Sequence, residues 1–132
     1  MRCLAISLIV LTAALSASGV PAEENARTFK GHYRWAAIDE AGDVEAVFLP
    51  TGEETWEVSF HFEFRGSPHT YIGTAEGSVT DGKLTGEVFN ERETRKFGFR
   101  GMVKEGKFRG THFETTGGSR LRTGTLSMNA ID

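Results

Sequence analysis

Trp56-Glu57-Val58-Ser59-Phe60-His61-Phe62-Glu63-Phe64 is the stretch on which the reading of the fold turns. Large apolar residues at 56, 58, 60, 62 and 64 alternate with Glu57, Ser59, His61 and Glu63. A period of two sustained over this length sends successive side chains to opposite faces, so the segment reads as a strand with one buried face. Elsewhere downstream of residue 28, β-branched and aromatic residues fill the apolar positions, and no convincing helical period occurs.

Turn signals cut the chain on both sides of this strand. They stand at 40–43, at Pro50-Thr51-Gly52 and Gly66-Ser67-Pro68, at Asp81-Gly82, at 90–94, at Glu105-Gly106 and at Gly117-Gly118-Ser119. Asp-Gly suits the positive φ that a two-residue hairpin turn of matching twist demands. Seven turns divide the chain into eight strands near 29–37, 43–49, 54–65, 68–79, 83–90, 95–103, 107–115 and 120–128. Connections this short make neighbouring strands antiparallel. A repeat supports the hairpin reading: Gly77-Ser78-Val79-Thr80-Asp81-Gly82-Lys83-Leu84-Thr85-Gly86 matches Gly101-Met102-Val103-Lys104-Glu105-Gly106-Lys107-Phe108-Arg109-Gly110, as two copies of one structural unit.

Glycine weakens a strand unless it has a steric task. With two-residue loops at Gly66-Ser67 and Asp81-Gly82, Phe60 faces Gly73, Trp56 faces Gly77 and Gly77 faces Gly86. A four-residue loop at 91–94 sets Gly86 against Phe99 and Leu84 against Gly101. A two-residue loop at Glu105-Gly106 sets Phe99 against His112. Large rings thus lie over small residues along one side of consecutive hairpins, as a narrow closed sheet requires in order to fill its interior at normal density. The expected fold is all-β: one antiparallel meander of about eight strands, closed into a small β-barrel, which removes exposed edges, rather than an open sheet or sandwich.

The first residues read differently. Met1-Arg2 opens with a positive charge, residues 4–15 carry none, and Val20-Pro21-Ala22 ends in a small residue. This is the layout of a secretory signal peptide, here residues 1–22 with cleavage after Ala22, and its apolar run of about 12 residues is short of the ~20 that span a membrane. Residues 23–28 form a polar lead-in and 29–132 the barrel domain. Removal of the signal takes away Arg2 and moves the formal charge from −3 to −4. It also removes Cys3, so disulfides and thiol chemistry are excluded downstream. The charges are interspersed and acidic overall, which argues against nucleic acid as a partner. Export to a periplasm or to the outside of the cell is expected, with no stable membrane span after cleavage.

These registers gather polar side chains at one rim. His69, Arg95, Glu114 and Arg122 are expected there, the last two opposite each other across a three-residue loop at 117–119, with His112 one layer deeper. Arg95 and Arg122 could pair with a ligand carboxylate or phosphate. Tyr33, Trp35, Trp56 and Tyr71 could stack on a flat ligand. A barrel mouth with aromatic walls and a few charges is a common way to hold a small molecule. Residues Ile72, Phe89, Met102 and Phe113 are the apolar exceptions on the outer face and could serve a protein partner in the envelope, such as an inhibitor or assembly factor. The four histidines, His32, His61, His69 and His112, show no paired spacing, so no metal is expected, and no motif implies a cofactor. No serine or aspartate stands in a nucleophile-elbow or triad context. The sequence therefore points to binding rather than catalysis.

In strand number and export signal the chain resembles the lipocalin and avidin class of exported eight-stranded barrels. Gly31-His32-Tyr33-Arg34-Trp35 is loosely similar to their first-strand glycine-x-tryptophan. Tyrosine stands where their tryptophan would be, with Trp35 two residues on, and Arg122 does not reproduce their arginine over that ring. The resemblance covers strand count and this one motif, and no binding residue is carried over from it.

Overall fold

The computed structural model describes residues 26–131, so residues 1–22, expected to be a signal peptide, lie outside the described residues. Eight antiparallel strands follow one another and close: β1 (Arg27–Trp35), β2 (Glu40–Pro50), β3 (Thr55–Phe64), β4 (Ser67–Gly77), β5 (Gly82–Asn90), β6 (Arg95–Lys104), β7 (Lys107–Thr116) and β8 (Ser119–Ile131). Each pairs with the next, and β8 returns to β1 with Phe29 opposite Ala130 and Tyr33 opposite Leu126. The expected meander and its closure are both present.

Alternation along each strand sets the two faces. Phe29, Phe48, Val58, Leu84, Val103, Phe108 and Met128 point inward and are at most 1 % exposed. They pack the end of the barrel where β1 begins, which we call the base. Burial of each such side chain stabilises by roughly 1.5–3 kcal/mol. Phe99 stands at mid-height, with its ring 5.1 Å from Phe60, 6.2 Å from Phe108 and 6.3 Å from Phe48. The packing of rings over glycine is realised at several levels. A Cβ on Gly42 would lie 2.8 Å from the Tyr33 ring, one on Gly86 would lie 2.7 Å from Phe99, and ones on Gly101 and Gly110 would each lie 2.8 Å from Phe108.

Turn chemistry departs from expectation in four places. The β1–β2 connection lies earlier, at residues 36–39: a 3₁₀ turn (Ala36–Ile38) is followed by Asp39 in the left-handed region, and Gly42 sits inside β2. The β3–β4 turn is Arg65-Gly66, both with positive φ, so Phe60 faces Tyr71 and Gly73 faces Val58. The β4–β5 connection is a four-residue loop, 78–81, because the Ser78 hydroxyl accepts the N–H groups of Thr80 and Asp81 at 3.1 and 2.8 Å. This shifts the pairing by two residues, setting Ala75 against Gly86, and tucks Val79 into the base. The two copies of the repeat therefore have different turns, since Glu105-Gly106 does form the tight one. Shifts of two keep every side chain on its expected face.

The fourth departure is a β-bulge. Gly117-Gly118 is a two-residue turn that sets Glu114 opposite Leu121 and Phe113 opposite Arg122, whereas His112 pairs with Gly124. Thr123 is the extra residue. Its insertion turns Arg122 out to solvent and restores the expected inward positions of Leu126 and Met128.

Candidate functional site

The two ends of the barrel differ. At the base, the Trp56 indole N–H donates to the Gly77 carbonyl at 2.9 Å, and the Ala130 N–H donates to Gly106 at 2.7 Å. Trp56 is thus removed from the expected ligand site: it caps the end opposite His69, where the β4–β5 loop meets β3. At the other end, which we call the mouth, Trp35, Phe62, Phe64 and Phe97 are only half-buried. Trp35, the last residue of β1, lies 5.5 Å from Phe97, 5.9 Å from His112 and 6.0 Å from Phe64. Phe62 stacks on His69 at 5.3 Å and 12°. Below these rings lies an apolar cavity of about 70 Å³, bounded by Tyr33, Trp35, Phe62, Tyr71, Phe97 and Phe99 among others. That is roughly half of the ~150 Å³ known to admit benzene in an engineered protein core, so most of the interior is filled by the protein's own side chains.

His69, Tyr71, Arg95, His112 and Glu114 do converge on this mouth. Their immediate partners include one residue that sequence reasoning left in a turn. Glu93, in the β5–β6 loop, reaches back over the rim to accept from Tyr71 Oη at 2.5 Å and to bond His69 Nδ1 at 2.6 Å. Asn90 fixes this loop: its Oδ1 accepts the Glu93 N–H at 2.9 Å and its Nδ2 donates to the Thr70 carbonyl at 2.8 Å. Asparagine three residues before the glutamate is the signal that could have exposed the role of this turn. Burial works against ionisation of Glu93, but the hydrogen bonds from Tyr71 and His69 and the nearby positive charges outweigh it and hold the carboxyl below its usual range. Burial, aided by the bond to Glu93, pushes the Tyr71 phenol well above its ordinary value.

Arg95 forms a two-pronged pair with Glu114, Nε to Oε2 at 2.8 Å and Nη2 to Oε1 at 2.9 Å. Its guanidinium carbon lies 5.4 Å from the Trp35 ring centre and 5.2 Å from that of Phe97. The cation over the first-strand tryptophan thus comes from β6, not from the last strand. Arg122 is not brought to this pair: Glu114 is taken by Arg95, and Arg122 stands exposed with no ion pair or hydrogen bond to any described residue.

His112 is buried and doubly bonded. Nε2 donates to the Arg34 carbonyl at 3.0 Å, and Nδ1 meets Thr123 Oγ1 at 2.6 Å. Burial lowers its pKa, the Arg34 carbonyl opposes that, and the charge of Arg122 adds to it. Thr123 could not be foreseen as its partner because the bulge that turns it inward leaves no mark in the alternation. Tyr33 is likewise satisfied, its Oη donating to the Glu63 carbonyl at 2.6 Å. The inner wall therefore offers rings and no free hydrogen-bonding group of His112, Tyr33 or Tyr71.

Among the described residues no cluster of histidine, cysteine and carboxylate groups could hold a metal ion. On the outer face, Ile72 and Phe89 pair across β4 and β5 and are exposed. Met102 lies about 20 Å away by strand rise, opposite Lys83 rather than Phe89. Phe113 is not exposed: it covers Gly98, and Arg120 lies 4.3 Å above its ring. The outer apolar residues thus do not form one patch.

Fold and mouth together define a small up-and-down eight-stranded β-barrel with a packed base and an aromatic bowl at the opposite end. Comparison with protein-family models, with curated proteins and with solved structures finds no match to this chain.

Proposed function

We propose that this is an exported binding barrel that holds a small, ring-bearing molecule in the bowl at its mouth. The observation that carries the reading is the contrast between the two ends. The base buries its phenylalanine rings and leaves only Trp56 half-buried, with its indole N–H bonded to Gly77, while the mouth leaves four large rings half-covered above an apolar cavity. Half-covered aromatic surface in a concave setting retains the free energy that a ligand gains by covering it. With the polar groups of His112, Tyr33 and Tyr71 already bonded, orientation falls chiefly to the rim charges of Glu93, Arg95 and Glu114. The cavity is too small to enclose a typical ligand, so the ligand lies across the mouth and sends only a small apolar part inward.

The test is titration with N-phenyl-1-naphthylamine, an uncharged probe that brightens in apolar surroundings. Brightening is expected with the wild-type protein and with Trp56→Phe, and a loss of at least about tenfold in affinity with Trp35→Ala, which removes one wall of the bowl. A correctly folded wild-type protein that leaves the probe dark would overturn the proposal.

A further inference from the structure

The rim was expected to clamp an anion through Arg95 and Arg122, and the geometry argues the other way. Arg122 is turned out by the bulge, and both prongs of Arg95 are spent on Glu114. What remains is a cation seated on two aromatic faces, Trp35 and Phe97, with a carboxylate at its side. That is the recognition set for an organic cation. We propose that the mouth selects a flat or compact organic cation, a ring or short apolar group bearing a guanidinium or quaternary ammonium centre, and that Arg95 occupies that centre's place in the free protein. The inference rests on the small-molecule reading above and names the class of ligand.

The immediate contacts of the ring faces favour a cation. Two carboxylates, Glu93 and Glu114, lie beside the Arg95 guanidinium, and Glu93 is also bonded to the His69 ring. Of the other mouth arginines, Arg34 is paired with Asp39 and Arg65 with Glu40, while Arg92 and Arg122 stand exposed to solvent. Glu114 takes two of the five guanidinium N–H groups of Arg95, so an incoming anion has only the others to use, and it would add a third negative charge beside Glu93 and Glu114. An incoming cation exchanges like for like. Arg95 can yield its place because it is the first residue of β6 and its side chain is 42 % exposed, so it swings into water without moving the backbone. The vacated rings and the cavity under them then receive the ligand's charge and its apolar part.

The experiment follows binding to the full chain by tryptophan fluorescence and amide NMR, using four probes of similar size: phenylguanidinium, benzyltrimethylammonium, benzoate and benzyl alcohol. The two cations are expected to bind about tenfold or more tightly than benzoate and benzyl alcohol. Glu93→Gln and Glu114→Gln should each remove most of that preference. Arg95→Gln should tighten cation binding several-fold, because it deletes the internal competitor. Thermal denaturation confirms that each variant is folded, and the Arg95 variant tests the idea independently should a glutamate variant fail to fold. Benzoate as the tightest probe, abolished by Arg95→Gln, would overturn the cation assignment and leave the small-molecule reading standing. Equal binding of benzyl alcohol and the cations would do the same. If no probe perturbs Trp35 or its neighbours, and N-phenyl-1-naphthylamine also fails, the small-molecule reading falls with its refinement.

Discussion

His112 shows how one residue links the interior to the solution outside. In its neutral form Nε2–H serves the Arg34 carbonyl and Nδ1 accepts from the Thr123 hydroxyl. A second proton on Nδ1 is accommodated if the hydroxyl turns to donate to the His112 carbonyl, 3.1 Å away. The hydrogen bonds thus survive protonation, and the penalty is burial of the charge. Because the folded pKa lies below the unfolded value of about 6.5, the unfolded chain binds the proton more readily. This contribution to stability is complete above about pH 6.5 and is lost as pH falls toward the folded value. Urea midpoints for wild type are therefore expected to decline as pH falls below about 6.5, and less so for His112→Gln. An equal decline in the variant would assign the acid sensitivity to other groups. At this scale the sequence was informative about identity and less so about partners. His69, Tyr71, Arg95, His112 and Glu114 were legible as mouth residues because alternation and approximate hairpin lengths place them there. Trp56 and Arg122 were not. The indole's use as a cap depends on where the Gly77 carbonyl points, and the fate of Arg122 depends on a single inserted residue.

At the scale of elements, the seam between β8 and β1 is the strictest joint in the barrel. Gly124 faces β1 so closely that a Cβ there would lie 1.7 Å from the Arg34 carbonyl oxygen and 2.8 Å from His112 Nε2. The obstacle is backbone, which cannot step aside as a flexible side chain would. Gly124→Ala is expected to destabilise by about 2–3 kcal/mol or more, read as a lower thermal midpoint. Undiminished stability would mean that β8 can slide outward at the bulge. The loops mark where element-level reading from sequence is weakest. Glu105-Gly106 and the 91–94 loop were read correctly, whereas the Ser78 side chain captured two backbone N–H groups and outcompeted the Asp-Gly turn signal three residues on. The errors at Arg65-Gly66 and at 78–81 were both of two residues, and period-two geometry forgives an even slip. This is why the inner face was right even where the partners were wrong.

At the scale of the molecule, closure was legible because rings and glycines alternate along consecutive hairpins, and the pairing of Phe29 with Ala130 and Tyr33 with Leu126 completes it. Closure also brings Thr28 opposite Ile131. A short glycine-rich linker between the ends of the barrel, with new termini opened in the 51–54 loop, should give a circular permutant with the same strand pairing, since every strand keeps both neighbours. Amide spectra that superpose apart from the cut and the linker are the expected result. Loss of dispersion would show that the order of strand synthesis matters to assembly.

The division of the barrel into a packed base and an uncovered mouth has a consequence for how such a chain can change. The residues that hold the fold together are separated along the barrel axis from those that would meet a guest. Trp35, Phe62, Phe64, Phe97 and Arg95 can therefore be exchanged with little draw on the reserve held by Phe29, Phe48, Leu84 and Phe108. On the proposed binding role, specificity and foldability fall to different residues, so new preferences at the rim are open to laboratory selection without rebuilding the scaffold beneath.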